Sequence, residues 1–171
     1  MGVAILISNK IDIKIKSIRR DRDGHFILIT GTIHQEEITT LNIYAPNIKA
    51  PTYVKEKLLE LKAVIKPHTL IVGDFNTPLS PMDRSIRQKP NREIRELLEI
   101  LNQMDLTDIY RTFHPNRKEY TFFSAAHGTF SKIDHILGNK ANLHRGKKKN
   151  ISNHLCLVGS PWNKVRIQQQ F

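Results

Sequence analysis

Cysteine is almost missing from this chain: Cys156 is the only one in 171 residues. A single thiol excludes an internal disulfide framework and a cysteine-rich zinc site, and it fits a reducing, intracellular compartment, nuclear or cytoplasmic. Long hydrophobic runs are missing too. No stretch approaches the roughly 18 apolar residues that span a bilayer. Val3 to Ile7 is apolar, yet too short and without the basic start of a cleavable leader. Neither an internal repeat nor a linker divides the chain, whose length suits one domain with a real hydrophobic core.

Acidic residues are scarce. Sixteen Asp and Glu face 27 Lys and Arg, giving a net charge of +11 and a pI near 9.9. That surplus draws the chain toward polyanions, nucleic acid or an acidic membrane surface, and composition does not separate the two. The surplus is uneven: His135 to Phe171 holds seven Lys or Arg and no carboxylate. Within it, Arg145-Gly146-Lys147-Lys148-Lys149 reads as a phosphate grip or a localisation patch, although a solvated loop is the commoner origin of so short a run.

What is present is a series of strands followed by strands mixed with helices. Met1 to Ser8 reads as a buried strand, and Ile11, Ile13 and Ile15 alternate with charged residues as in a half-exposed one. A turn at Arg20 to Gly24 leads to strands over His25 to Ile33 and Thr39 to Tyr44, around a polar turn at His34 to Glu37. A helix is predicted from Thr52 to Ile65, with Val54, Leu58, Leu61 and Ile65 on one face. Thr69 to Val72 reads as a buried strand, and Phe75 to Pro90 as a long loop broken by prolines. Asn91 is placed to cap a second helix burying Ile94, Leu97, Leu98 and Leu101. Tyr120 to Phe123 and Lys132 to Leu137 complete the strands, and no period is visible after about Asn150. The pattern predicts an α+β fold of sheets covered by helices.

The chemistry concentrates at strand ends. Gly73-Asp74-Phe75-Asn76 follows the apolar run Thr69 to Val72, so its acid and amide stand where a buried strand leaves the sheet. A polar cluster, Ser131 to His135, sits in a second strand-like run. Side chains at strand ends are held rigidly yet open to substrate, which suits acid, amide and metal chemistry on phosphates. Gly73-Asp74 is equally readable as a strand exit with an Asp-capped turn.

Five motifs in order carry a resemblance. Gly2-Val3-Ala4-Ile5-Leu6, Leu41 to Pro46, Gly73 to Asn76, Tyr120 to Ser124 and Ser131 to Ile136 together resemble the endonuclease/exonuclease/phosphatase superfamily. Asp105 to Thr112 and Phe113-His114-Pro115 are similar to the endonuclease domain of LINE-type retrotransposons. The likeness covers residues 2 to about 155, with 156–171 read as a divergent tail. It implies a four-layer α/β sandwich, two packed sheets with outer helices and a site at one end.

The resemblance also implies roles. Asp74 matches the carboxylate that orients or deprotonates the attacking water, and Asn76 the amide that steadies the phosphate. Tyr44 matches a hydroxyl near the scissile phosphate, with a strand-edge aromatic as the bland reading. Asp134 matches the carboxylate that orients a catalytic histidine. Ser131, Arg84 and Thr121 are expected to contact substrate, whereas Arg111, Lys118 and Lys132 are more readily solvated surface charges. His135 should point to the opposite face of its strand from Asp134. The implied cofactor is Mg²⁺, the implied partner DNA rather than a membrane, and the implied reaction one-strand nicking of T-rich DNA.

The departures from the family pattern matter as much. The metal-linked Asn and metal-binding Glu of the family lie upstream of Gly2, so the sandwich is expected to lack its first strand-helix portion. Glu36 and Glu37 are no substitutes, and no metal ligand is assigned with confidence. The closing Ser-Asp-His is approached by Ile151-Ser152-Asn153-His154-Leu155 but not completed. The expectation is therefore an inactive endonuclease-family piece that exposes apolar sheet surface at Val3 to Ile7 and His25 to Ile33. Three readings stand: a working nuclease, a non-catalytic nucleic-acid binder, or a retrotransposon-derived reading frame without selected function.

Overall fold

The computed structural model describes residues 2–9, 11–86, 88–145 and 164–167. Its centre is a six-stranded mixed sheet in the order β2-β3-β4-β5-β9-β6. The strands are β2 (Ile13–Arg20), β3 (Phe26–Ile33), β4 (Glu36–Tyr44), β5 (Thr69–Asp74), β6 (Leu106–Asp108) and β9 (Asp134–Asn139). Only β4 and β5 run parallel, joined by a crossover through α1 (Ala50–Glu60), and every other neighbour in the sheet is antiparallel.

Residues alternating along β3, β4 and β5 send Phe26, Leu28, Leu41, Ile43 and Ile71 to one face. There α1 and α2 (Arg92–Gln103) lay down Val54, Leu58, Leu97 and Leu101. Fully burying a side chain such as Leu97 stabilises the fold by roughly 1.5–3 kcal/mol. Asn91 caps α2 as its sequence predicts, its side chain accepting from the Ile94 amide at 2.9 Å. Leu98 is half-buried against the same core. α1 starts two residues earlier and ends earlier than the apolar spacing predicts. Pro51 stands in its first turn, and the chain tightens after Glu60 into turns that still bring Leu61 and Ile65 to the core.

The opposite face is thinly covered. Ile33 and Val72 pack there with Ile11 and with Ile5 and Ile7 of β1 (Ala4–Ile7). β1 is only half-buried rather than buried, and it pairs in parallel with β10 (Lys164–Ile167), a strand in the segment where the sequence shows no period. The exposed apolar surface also differs from expectation. β3 is largely buried, whereas the edge strand β2 leaves Ile15 and Ile18 47% and 58% exposed. β3 lies between two paired strands and β2 does not, which is the physical reason.

The β3–β4 hairpin closes on two residues, His34 and Gln35, both left-handed at φ 48° and 68°. Glu36 and Glu37 therefore open β4 instead of lying in the turn. The 75–90 loop contains a 3₁₀ turn at Pro81–Asp83. The sequence pattern signals neither β6, nor α3 (Ile109–Phe113), nor β8 (Thr129–Ser131), which pairs with β7 (Phe122–Ser124). A last helix, α4 (Lys140–Arg145), follows β9. The fold is α+β, as the sequence pattern indicates.

Candidate functional site

Three neighbouring strands bring Tyr44, Asp74 and Asp134 into one row at the end of the sheet: Tyr44 pairs with Asp74, and Asp74 with Asp134. The exit of β5 is shaped by Gly73 (φ +137°), where a Cβ would stand 1.9 Å from the Ile43 carbonyl oxygen. Only glycine lets β4 and β5 approach so closely here. Asp74 Oδ1 accepts from the Asn76 amide at 2.8 Å, and Asn76 Nδ2 donates to the Ala45 carbonyl at 2.6 Å. Asn76 sits at φ 46°, so it is not the extended residue that its two-residue spacing from Asp74 implies. The turn folds it back onto the β4 exit, while Phe75 between them is fully buried.

Burial pushes the Asp74 carboxyl up from 3.8 to about 6, against the pull of the Asn76 amide, and the Asp134 charge adds to the rise. A carboxyl titrating near neutrality is the type of group that takes a proton from water at physiological pH. Asp134 is half-buried beside it, with its backbone amide donating to the Thr121 hydroxyl at 3.3 Å. The Ile133 amide donates to the same hydroxyl at 3.1 Å. Thr121 is thus occupied in holding the start of β9, and its own amide donates to the Ser131 carbonyl. Ser131 forms a bridge with Arg84, whose guanidinium donates to Gln88 at 3.1 Å.

Two of the presumed surface charges are internal. Lys132 is buried, with Nζ 3.2 Å from Asp108 Oδ2 and donating to the Asp134 carbonyl at 2.7 Å. The same Asp108 oxygen is 2.7 Å from His135 Nδ1, and His135 Nε2 lies 2.9 Å from the Thr77 carbonyl. Burial would raise the Asp108 carboxyl, but His135 and Lys132 outweigh it and hold the group down at about 2. His135 therefore faces away from Asp134 and is consumed by internal bonds. Arg111 pairs with the buried Asp83 at 2.5 Å and donates to the His114 and Arg117 carbonyls.

The model of the Endonuclease/Exonuclease/phosphatase family matches residues 1–154. The chain belongs to that family. A curated relative, the transposon TX1 uncharacterized 149 kDa protein of Xenopus laevis, is 22% identical over 166 residues, which is 91% of this chain and 13% of that one. The endonuclease domain of TRAS1, a telomere-specific non-LTR retrotransposon, superposes with a TM-score of 0.57 at 14% identity, covering 78% of this chain and 58% of that domain. The Xenopus laevis APE2 catalytic domain gives 0.51 at 22% identity, with 71% and 48% covered. At such identities the likeness shows the fold, and the chain spans about half of each solved domain.

The family resemblance implies a divalent metal ion, which needs a cluster of oxygen or nitrogen ligands. Among the described residues no group of three or more His, Cys, Asp or Glu stands close enough to hold one. Asp74 and Asp134 pair across neighbouring strands, and two carboxylates fall short of a dedicated centre. Ser152, Asn153 and His154 lie outside the described residues. No helix among the described residues is long and apolar enough to cross a membrane.

One surface feature escaped the sequence reading. Phe122, Phe123 and Phe130 of the β7–β8 hairpin are each about half exposed, with Phe123 and Phe130 4.7 Å apart and Tyr120 stacked on Phe130. In the sequence Phe122 and Phe123 read as strand residues, and Phe130 falls in no predicted element. The unspent signal was three aromatics around a Gly-containing turn too short to have a buried face.

Proposed function

We propose that this chain binds DNA through the strand-end face and carries the water-activating side of a phosphodiester-hydrolysing site, without cleaving on its own. The observation that carries the reading is the Asp74–Asp134 pair, two carboxylates opposed across neighbouring strands with one of them raised to about 6. In hydrolysis Asp74 would orient and deprotonate water, Asn76 and Tyr44 would steady the phosphate, and Asp134 would orient a proton donor. Magnesium, when bound, would neutralise charge on the phosphate. The described residues do not assemble its site, so turnover is not expected.

Binding has separate support. Arg84, Ser131 and Thr121 lie on one backbone grid beside the carboxylates, and the exposed phenylalanines of the β7–β8 hairpin offer stacking surface next to it. The charge of +11 supplies the attraction to phosphate. The similarity to a transposon protein supports a retrotransposon origin.

The test is a plasmid-nicking assay with Mg²⁺ run beside a salt titration of DNA binding. Salt-sensitive binding without nicking is expected. Nicking that disappears in Asp74→Ala would overturn the inactivity, and absence of binding at low salt would overturn the interface.

A further inference from the structure

Beside the grid of expected substrate contacts lies an ion pair whose side chains bond to none of them. Asp83 is buried with both carboxylate oxygens engaged: Oδ2 accepts from the Leu79 and Ser80 amides at 3.2 and 2.8 Å, and Oδ1 from Arg111 at 2.5 Å. The next residue in the chain is Arg84. The Asp83 carbonyl accepts from the Lys132 amide at 2.8 Å, Arg84 bridges Ser131, and the Ser85 amide donates to the Phe130 carbonyl at 2.9 Å. The segment 83–85 is thereby laid along 130–132 like an added strand.

Nothing in 83–85 itself buries apolar side chain against that neighbour. Ser85 is exposed, Ile86 is 51% exposed, and the Arg84 guanidinium donates to Gln88. Two side-chain anchors hold the segment: the Ser85 hydroxyl, which accepts from the Phe130 amide at 2.9 Å, and the Arg111 guanidinium on Asp83, which also gathers the His114 and Arg117 carbonyls. A planar cation serving three acceptors in fixed directions sets position as well as charge.

We propose that Arg111 is a positioning residue: through Asp83 it holds Arg84 against Ser131 so that Arg84 can meet a DNA phosphate. The affinity part rests on the DNA-binding reading, whereas the placement of 83–85 does not. Hydrogen exchange tests the placement. In Arg111→Met the amides of Ser85 and Lys132 should exchange roughly tenfold or more faster, the scale of one lost charge-assisted bond, while those of Leu41 and Ile71 keep their rates. Arg111→Lys should restore part of the protection. A uniform acceleration through all strands, or none at all, would overturn the proposal.

DNA binding tests the consequence. Arg84→Ala and Arg111→Met should each weaken binding, each lowering the salt slope by about 0.9, the value for one phosphate contact. The double variant should be no weaker than Arg84→Ala. Multiplying losses would refute the link between the two residues. Failure of the unaltered protein to bind would count against the DNA-binding reading alone, with the exchange rates still deciding the placement.

Discussion

Replacing Asp74 by Asn should make the protein more stable at neutral pH. The carboxyl titrates at about 6 when folded against 3.8 ordinarily, because burial and the Asp134 charge disfavour its ionised form. The folded state thus holds the proton more tightly than the unfolded state. The stability this contributes is fully present below the ordinary value and disappears as pH rises from about 4 to about 6. That rise corresponds to at most about 3 kcal/mol, and partial solvent access reduces it to about 1–2 kcal/mol.

Asparagine keeps an oxygen for the Asn76 amide and cannot ionise, so it escapes the penalty. Urea unfolding of both proteins at pH 4, 6 and 8 isolates the effect, because every other titrating group is common to the two. The difference should be near zero at pH 4 and reach about 1–2 kcal/mol at pH 8, or about 2–8 °C in Tm for a domain this size. A constant offset across that range, or a less stable variant at pH 8, would refute the reasoning.

Other perturbations test other parts of the structure. Lys132→Met leaves Asp108 buried with His135 as its remaining side-chain partner among the described residues and should cost about 3 kcal/mol in urea unfolding at pH 7. Asp108 titrates at about 2, so the wild-type protein should lose that contribution only as pH falls from about 4 toward 2. Gly73→Ala forces a Cβ against the Ile43 carbonyl and should cost more than about 4 kcal/mol or abolish soluble yield. Gly138→Ala, where the nearest atom is the far end of the Ile109 side chain at 3.0 Å, should cost below about 2 kcal/mol. Ile15→Thr with Ile18→Thr should reduce aggregation in light scattering while shifting stability by no more than about 1 kcal/mol, since both side chains are half exposed.

Much of the fold was legible because its signals are local. Asn91 precedes an apolar period of 3.6 and caps the helix, and Thr69 to Val72 is bounded by a glycine and lies within a strand. The three-residue strands were not, since Leu106-Thr107-Asp108 and Thr129-Phe130-Ser131 are too short to show alternation. Asp74 was placed at a strand end by the apolar run before it, whereas its pairing with Tyr44 and Asp134 depends on strand order, which no local pattern carries. The interior ion pairs were missed because Lys132 finds Asp108 across 24 residues and Arg111 finds Asp83 across 28, separations to which no periodicity responds. A charge in a pattern reads as surface until its partner is known.

The turn at His34 and Gln35 bears on the order in which this chain folds. Two consecutive left-handed residues without glycine cost roughly 1–2 kcal/mol each, so the turn gives its hairpin no head start. The β3–β4 pair has eight registered positions to offset that cost, so pairing from the Phe26–Ile43 end is the expected route by which the hairpin closes. An Asn-Gly placed at 34–35 would reverse that direction, accelerating refolding without altering a contact near Asp74.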